Sequence, residues 1–262
     1  KAGVAVVLRS RKQESADAMV AALGKSLARQ VDRGKLDEAD ATAIAGRVGA
    51  TADLEALADC DLVLESVVED LGVKRQLFAE LDRIVKDGAI LATNTSTLPV
   101  VELAVETGRP ERVCGMHFFN PAPAMSLVEI IRTLVSSDET IADATAFAEA
   151  CGKGPVVVED RAGFIVNALL FPYLNNAVRM LENRTASRDD IDSAMKGGCN
   201  FPMGPLALLD LVGLDTSVAI LDALYAEFSD PNYAAVPLLR RMVAAGHLGR
   251  KSGQGFYDYR KK

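Results

Sequence analysis

The pattern of hydrophobic and polar positions divides the chain into two parts near residue 160. In the first part, short runs rich in β-branched residues alternate with longer stretches rich in Ala, Leu, Glu, Lys and Arg. Strands that alternate with helices indicate βαβ units and a largely parallel sheet. The predicted strands are 4–8, 61–67, 89–94, 112–119, 127–131 and 154–160, and the predicted helices are 12–33, 70–85 and 138–151.

After residue 160 the hydrophobic period is helical throughout. The predicted helices are 163–182, 187–195, 205–228 and 237–246. Ser187, with Asp190 three residues later, fits a capping box at the start of a helix. We therefore predict an α/β domain over residues 1–160 and an all-helical domain over residues 161–262.

The beginning of the chain differs from that of a standard dinucleotide-binding domain, which opens with a strand, a Gly-rich turn and a helix. Here "KAGVAVVL" (1–8) leads almost at once into a strand, and GxGxxG occurs nowhere in the 262 residues. "GQG" at 253–255 follows no predicted strand and is interpreted as a turn. The expectation is a Rossmann-like domain that is N-terminally incomplete, without its first strand and Gly-rich turn.

Composition excludes several classes of function. A net charge of −7 argues against a nucleic-acid or membrane-surface partner, and no apolar run has the length of a membrane span. The four cysteines are scattered, without a CxxC pair, which favours free, mostly buried thiols of a cytoplasmic protein. No metal site is expected, because the cysteines and histidines show no metal-ligand spacing.

One apolar stretch, residues 116–130, contains His117 and, twelve residues later, Glu129. A carboxylate inside "SLVEII" is costly to bury unless a partner satisfies it. Histidine suits proton transfer near neutral pH, and a carboxylate on its other ring nitrogen fixes the tautomer and stabilises the imidazolium. Taken alone, a histidine in "MHFF" is more typical of a satisfied core residue, so the spacing does not decide between the two interpretations.

Five motifs, in order along the chain, resemble those of the 3-hydroxyacyl-CoA dehydrogenases, and especially the stand-alone 3-hydroxybutyryl-CoA type. The resemblance implies a Rossmann-like domain, a helical domain that forms a homodimer, a nicotinamide cofactor and an acyl-CoA substrate. The motifs are "NTST" (94–97), "GMHFFNPAPAMSLVEII" (115–131), "GFIVN" (163–167), "FPMGPLALLDLVGLD" (201–215) and "GRKSGQGFYDY" (249–259).

The resemblance also implies the catalytic residues. His117 would be the base, acting as acid in the reverse direction, and Glu129 would orient it. Ser96 and Asn167 would contact the reacting oxygens of the substrate. Ser96 follows a predicted strand, and Asn167 is expected one or two turns into the first helix of the second domain. Taken alone, Ser96 is a turn serine and Asn167 a capping or solvated asparagine.

Further positions match the family's binding residues. Ser26 and Arg33, on the predicted helix 12–33, roughly match positions that touch coenzyme A, although arginines on an exposed helix usually serve solubility. Cofactor contacts are expected at Ser66, Glu69, Lys74 and Asn120, of which Asn120 would lie near the nicotinamide.

The chain departs from the family pattern where the adenosine ribose should lie. NAD-linked enzymes place Asp or Glu at the end of this strand to bind the 2′-hydroxyl. This strand instead ends with Arg9, Ser10 and Arg11. Guanidinium groups bind a 2′-phosphate by donating charge-assisted hydrogen bonds, whereas a carboxylate would repel it. The sequence therefore predicts a preference for NADP over NAD. The alternative is an exposed basic turn.

Two other functions stay open at this stage. One is a dehydrogenase of another small hydroxy acid, such as a sugar acid or carnitine, on the same scaffold. The other is a catalytically silent structural relative, which would keep the core motifs and lose the site residues. Low aromatic content and "PAPAMSL" give no clear tunnel for a long acyl chain, which favours short chains.

Long apolar runs after residue 160, as in 204–225, predict a symmetric homodimer through that domain.

Overall fold

The computed structural model describes residues 2–260, which form two units. Within the described residues, the first unit runs to Thr95 and resumes over Val100–Asp160. The second unit comprises Ser96–Pro99 and the residues from Arg161 onward. A four-residue segment that follows a strand of the first unit is therefore grouped with the helical unit.

The first unit contains two sheets. Its strands are Val6–Arg9 (β1), Val48–Thr51 (β2), Leu62–Glu65 (β3), Ile90–Thr93 (β4), Val113–Phe118 (β5), Leu127–Arg132 (β6) and Gly154–Glu159 (β7). β1 and β2 form a parallel pair, and the other strands form a sheet in the order β3-β4-β5-β6-β7. Every neighbouring pair in that sheet is parallel except β5 and β6. The predicted α/β class with a largely parallel sheet is confirmed.

The helices of the first unit are Gln13–Asp32 (α1), Glu38–Ala45 (α2), Leu71–Ile84 (α3), Val101–Ala104 (α4) and Asp138–Ala150 (α5). α1, α3 and α5 were predicted to within a few residues. β2 and α2 were missed, because "VGAT" is short and carries a glycine, and "EADATAIA" buries no residue. The core lies between the sheet and α5, whose Ile141, Ala144 and Ala148 pack against apolar side chains of β4, β5 and β6.

The second unit is helical, as predicted, with helices Val166–Glu182 (α6), Arg188–Cys199 (α7), Pro205–Val212 (α8), Leu214–Phe228 (α9) and Pro237–Ala244 (α10). Ser187 caps α7 by accepting a hydrogen bond from Asp190 N at 3.2 Å. The prediction of one helix over 205–228 was wrong. Gly213, with φ of 105°, is both the C-cap of α8 and the N-cap of α9, so the helix is interrupted there.

The C-terminal segment is attached to the helices by two buried carboxylates, Asp192 and Asp210. Asp210 accepts hydrogen bonds from Phe256 N at 2.8 Å and Tyr257 N at 2.9 Å. Asp192 accepts one from the Tyr257 hydroxyl at 2.8 Å. "GQG" lies in the turn that precedes these contacts, as predicted, and Gly253 has φ of 74°.

The cysteines are free thiols, but the expectation that most are buried was wrong. Cys114 is buried on β5 and Cys60 is half-buried, whereas Cys151 and Cys199 are exposed. Both exposed thiols lie at the ends of helices, where the chain turns toward solvent. Within residues 2–260, none of the helices is long and apolar enough to cross a membrane.

Candidate active site

His117 and Glu129 face each other across the antiparallel pair β5–β6. They are direct partners in the register of the two strands, and both are buried. The distance from His117 Nδ1 to Glu129 Oε2 is 2.8 Å. Gly115 lies opposite Ile131 in the same register, and a Cβ at Gly115 would lie 2.7 Å from Ile131 Cδ1. The glycine therefore allows the close strand pairing that places the histidine against the carboxylate.

This pair has the geometry of a general base with an orienting carboxylate. A carboxylate that accepts a hydrogen bond from Nδ1–H fixes the tautomer in which Nε2 can exchange a proton with a reactant. Such a carboxylate also stabilises an imidazolium formed by proton transfer. The Phe119 ring lies beside the imidazole, with the two ring centroids 4.5 Å apart, and restricts its orientation.

Asn94 supports the histidine strand and was not predicted to do so. Its Oδ1 accepts a hydrogen bond from Phe118 N at 2.8 Å, and Phe118 directly follows the candidate catalytic residue His117. Asn94 immediately follows β4, so it ties the carboxyl end of β4 to β5. The available signal was an asparagine directly after a buried strand, within the quoted motif "NTST".

Ser96 and Asn167 both belong to the second unit and lie together. Asn167 Nδ2 donates to Ser96 O at 3.4 Å. Asn167 is buried in the first turn of α6, rather than one or two turns into the helix, because α6 starts at Val166 and not near residue 163. Gly163, with φ of 74°, and Phe164, with φ of 48°, delay the start of the helix.

The basic residues after β1 lie at the carboxyl end of a parallel strand. Arg9 Nε donates to Ala52 O at 3.3 Å, and Ser10 N donates to Thr51 O at 3.1 Å. Arg9 and Ser10 are half-buried and Arg11 is exposed. Ligands of open α/β sheets bind beyond the carboxyl ends of the strands, so these side chains occupy a position that suits a polar dinucleotide.

The other predicted cofactor residues differ in accessibility. Ser66 and Glu69 are exposed in the segment after β3, and Asn120 is exposed after β5. Lys74 is buried on α3 and hydrogen-bonds both carboxylate oxygens of Glu65, at 2.8 and 2.9 Å. Lys74 therefore stabilises the end of β3, a role that the sequence did not suggest.

Ser26 and Arg33 are both exposed, and α1 ends at Asp32, so Arg33 caps the helix rather than lying within it. Within residues 2–260, no group of three or more His, Cys, Asp or Glu side chains is placed to hold a metal ion.

Comparisons with known proteins place the chain in a family. Residues 1–161 match the family model described as 3-hydroxyacyl-CoA dehydrogenase, NAD binding domain. Residues 163–259 match the model of the 3-hydroxyacyl-CoA dehydrogenase C-terminal domain. The match to an NAD binding domain supports a nicotinamide cofactor.

Relatives share nearly the whole chain. A 3-hydroxybutyryl-CoA dehydrogenase of Mycobacterium tuberculosis is 49% identical over 252 residues, which cover 94% of this chain and 88% of that protein. One from Clostridioides difficile is 46% identical over 256 residues, covering 98% of this chain and 91% of that protein. The crystal structure of (S)-3-hydroxybutyryl-CoA dehydrogenase from Ralstonia eutropha superimposes with a TM-score of 0.97 at 42% identity, covering 99% and 92% of the two chains. The chain belongs to the 3-hydroxyacyl-CoA dehydrogenase family.

Proposed function

We propose that this protein interconverts (S)-3-hydroxyacyl-CoA and 3-oxoacyl-CoA, with short-chain substrates such as 3-hydroxybutyryl-CoA and acetoacetyl-CoA. The observation that carries the proposal is the buried contact of 2.8 Å between His117 and Glu129. The names of the similar proteins, 3-hydroxybutyryl-CoA dehydrogenases, support the choice of substrate.

Each proposed site residue has a definite task. The nicotinamide cofactor, when bound, accepts or supplies the hydride. His117 takes the hydroxyl proton during oxidation and returns it during reduction, while Glu129 holds the imidazole and stabilises its charged form. Ser96 and Asn167 donate hydrogen bonds to the reacting oxygens of the substrate. These bonds stabilise the transition state, in which the oxygen carries more negative charge than in the 3-oxoacyl-CoA.

Steady-state kinetics tests the substrate. The purified enzyme should reduce acetoacetyl-CoA with a higher kcat/KM than longer 3-oxoacyl-CoAs, and it should oxidise neither carnitine nor sugar acids at a comparable rate. A preference for a free hydroxy acid would place the protein with another activity on this scaffold. Lack of turnover with every substrate would indicate a structural relative.

The proposed cofactor preference is NADP over NAD. Arg9 and Arg11 flank Ser10 after β1, and a 2′-phosphate offers these donors a charged acceptor where NAD offers a neutral hydroxyl. Each charge-assisted hydrogen bond contributes about 1.5–3 kcal/mol, and a tenfold preference needs only about 1.4 kcal/mol. NADPH should therefore exceed NADH in kcat/KM by at least about tenfold.

Substitution at the basic turn tests this preference. Ser10→Asp with Arg11→Gln should reverse it, because the new carboxylate repels the 2′-phosphate and accepts from the ribose hydroxyl. Arg83→Gln removes an exposed arginine from the last turn of α3 and is the matched control, with an unchanged cofactor ratio expected. Equal or better use of NADH by the unmutated enzyme would show that the basic turn serves only solvation.

The proposed domains follow the chemistry: residues 1–160 bind the dinucleotide, and residues 161–262 bind substrate and dimerise. Exposed apolar side chains on the second unit support a symmetric homodimer, among them Leu169 at 72% exposure and Leu211 at 49%. Light scattering at micromolar concentration should give the mass of a dimer, and Leu169→Asp should shift it toward the monomer. A monomeric unmutated protein would contradict this assembly.

The proposal also includes the coenzyme A contacts and the location of the protein. Ser26 and Arg33 contact the coenzyme A portion of the substrate, so Arg33→Gln should raise the KM for acetoacetyl-CoA and leave cofactor affinity unchanged. A cytoplasmic location is supported by the four free thiols, since a reducing compartment keeps cysteines in that state. Fractionation of the source cells tests the location directly.

A further inference from the structure

A buried polar network joins the carboxyl ends of β3 and β4. Glu65 and Thr93 are the last residues of these parallel strands and direct partners in their register. Glu65 Oε1 accepts from Val67 N at 2.5 Å and from Lys74 Nζ at 2.8 Å. Glu65 Oε2 accepts from Lys74 Nζ at 2.9 Å and from Thr93 Oγ1 at 2.7 Å. Both oxygens of this carboxylate are therefore fixed from several directions.

The network continues from the buried ion pair to an exposed carboxylate. Lys74 Nζ also lies 3.3 Å from Glu69 Oε2, and the side chains of Lys74 and Glu69 are 1% and 41% exposed. Thr95 Oγ1 donates to Glu69 Oε1 at 2.5 Å. Glu69 is thus held between an ammonium and a hydroxyl, and it is the member of the network that reaches solvent.

Stability alone gives little reason for such a pair. Replacing a buried ion pair with apolar side chains of similar volume is often neutral or stabilising, because desolvation offsets much of the attraction. Two buried charges at the carboxyl end of a parallel sheet, connected to an exposed carboxylate, instead suit a site whose geometry must be fixed. Glu65 pairs with Lys74 through two hydrogen bonds, which leaves the third N–H of the ammonium for Glu69.

We propose that Glu65 is a positioning residue of the cofactor site, which acts through Lys74 to orient Glu69 and the 66–70 segment for the dinucleotide. This inference rests on the proposed function with its nicotinamide cofactor, and on the expectation from the family resemblance that Glu69 contacts that cofactor. Lys74, which the family resemblance also places at the cofactor, is held by Glu65 and in turn holds Glu69.

A double-mutant cycle tests this role. Glu65→Gln, Lys74→Met and the double variant are compared by NADPH fluorescence titration without substrate and by thermal unfolding. Each single variant should weaken cofactor binding by about tenfold or more, a change of about 1.4 kcal/mol. The double variant should bind no more weakly than the single ones, because both substitutions break the same link. It should nevertheless regain thermal stability, since no unpaired buried charge remains.

Cofactor affinity and thermal stability, measured on the same variants, decide whether Glu65 positions the cofactor site or only neutralises Lys74. A double variant that regains both stability and normal cofactor affinity would show that Glu65 only neutralises Lys74, and it would overturn the proposal. Unchanged affinity in Glu65→Gln would overturn it as well. If Glu65→Gln fails to fold, Glu65→Asp, which keeps the charge and shortens the side chain, takes its place in the comparison.

A matched control lies on the same helix. Asp82, also on α3, accepts a hydrogen bond from Arg109 Nε at 2.7 Å and another from Gly108 N at 2.9 Å. Asp82→Asn should lower stability and leave NADPH affinity unchanged; an equal loss of affinity would mean that any destabilisation of α3 affects the cofactor. Because binding is measured without acyl-CoA, a failure of the proposed substrate would leave this test intact.

Discussion

The two units bury carboxylates for different purposes. In the first unit, Glu129 faces the imidazole of His117, the candidate base. In the second unit, Asp210 faces the backbone amides of Phe256 and Tyr257, which do not exchange protons with a reactant. In both units hydrogen-bond partners compensate for the burial of the carboxylate. Only in the first unit is the partner a candidate general base.

The backbone around the two carboxylates also differs. Glu129 lies in the middle of a strand, opposite His117, where the sheet holds it at a fixed distance. Asp210 holds a segment of turns, and Gly255 packs directly against its carboxylate. A buried carboxylate beside an imidazole has the geometry for proton transfer. A buried carboxylate that accepts from backbone amides and tyrosine hydroxyls anchors a chain segment.

The largest expected effect is on His117. His117→Gln should lower turnover by about two to four orders of magnitude, because no group at that position accepts the hydroxyl proton. Folding and cofactor binding, followed by circular dichroism and NADPH fluorescence, should be unchanged. His247→Gln replaces the other histidine of the chain and should retain normal turnover. Near-normal turnover of His117→Gln would remove the histidine from the mechanism.

The next effect concerns the anchored segment of the second unit. A Cβ at Gly255 would overlap the Asp210 carboxylate, so Gly255→Ala should cost about 1–3 kcal/mol of unfolding free energy. Gly197→Ala on α7 is the control, since a Cβ there meets nothing within 4 Å. That variant should be more stable by about 0.5–1 kcal/mol. Equal stabilities of the two variants in urea unfolding would show that the C-terminal segment is loosely attached.

Glu129→Gln should have a smaller effect on turnover than loss of the histidine. The amide neither stabilises the imidazolium nor specifies the Nδ1 proton as well as a carboxylate does. A loss of about 1.4 kcal/mol of that stabilisation corresponds to about a tenfold decrease in kcat. The pH–rate profile should shift with it. An unchanged rate together with an unchanged profile would assign Glu129 to packing and remove the contrast with Asp210.

Much of the fold could be predicted from the sequence. The alternation of β-branched runs and amphipathic stretches identified β3 to β7 and α1, α3 and α5, because buried parallel strands and long helices leave strong periodic signals. Short elements such as β2 and α2 leave none. The division of 205–228 into two helices depends on the positive φ of Gly213, which an isolated glycine in an apolar run does not reveal.

The candidate site was predictable only where a motif carried it. His117 and Glu129 are twelve residues apart, and nothing in that spacing fixes the register that makes them partners. Glu65 and Asn94 follow from contacts between strands that are far apart in sequence, so no local pattern identifies them. Long-range partners of polar side chains are set by topology, and composition and periodicity do not contain that information.

The smallest expected effect is the pH dependence of Asp210. Burial raises the pKa of this carboxyl above its ordinary value, the charge of Asp192 acts in the same direction, and hydrogen bonds from Tyr257 N and Phe256 N oppose the shift. The folded state thus binds this proton more tightly than the unfolded chain does. The stabilisation from this group is present below the ordinary carboxyl pKa and is lost as the pH rises through the raised value.

Asp210→Asn removes this titration, so its cost in unfolding free energy should be greatest in acid and shrink toward pH 7. A single proton limits the change to at most about 1.4 kcal/mol per pH unit. Urea unfolding of both proteins from about pH 4 to pH 7 measures the difference, with Gly197→Ala as a control whose effect should not depend on pH. A cost that grows with pH would show that the amides of the anchored segment favour the ionised carboxylate strongly enough to outweigh its burial.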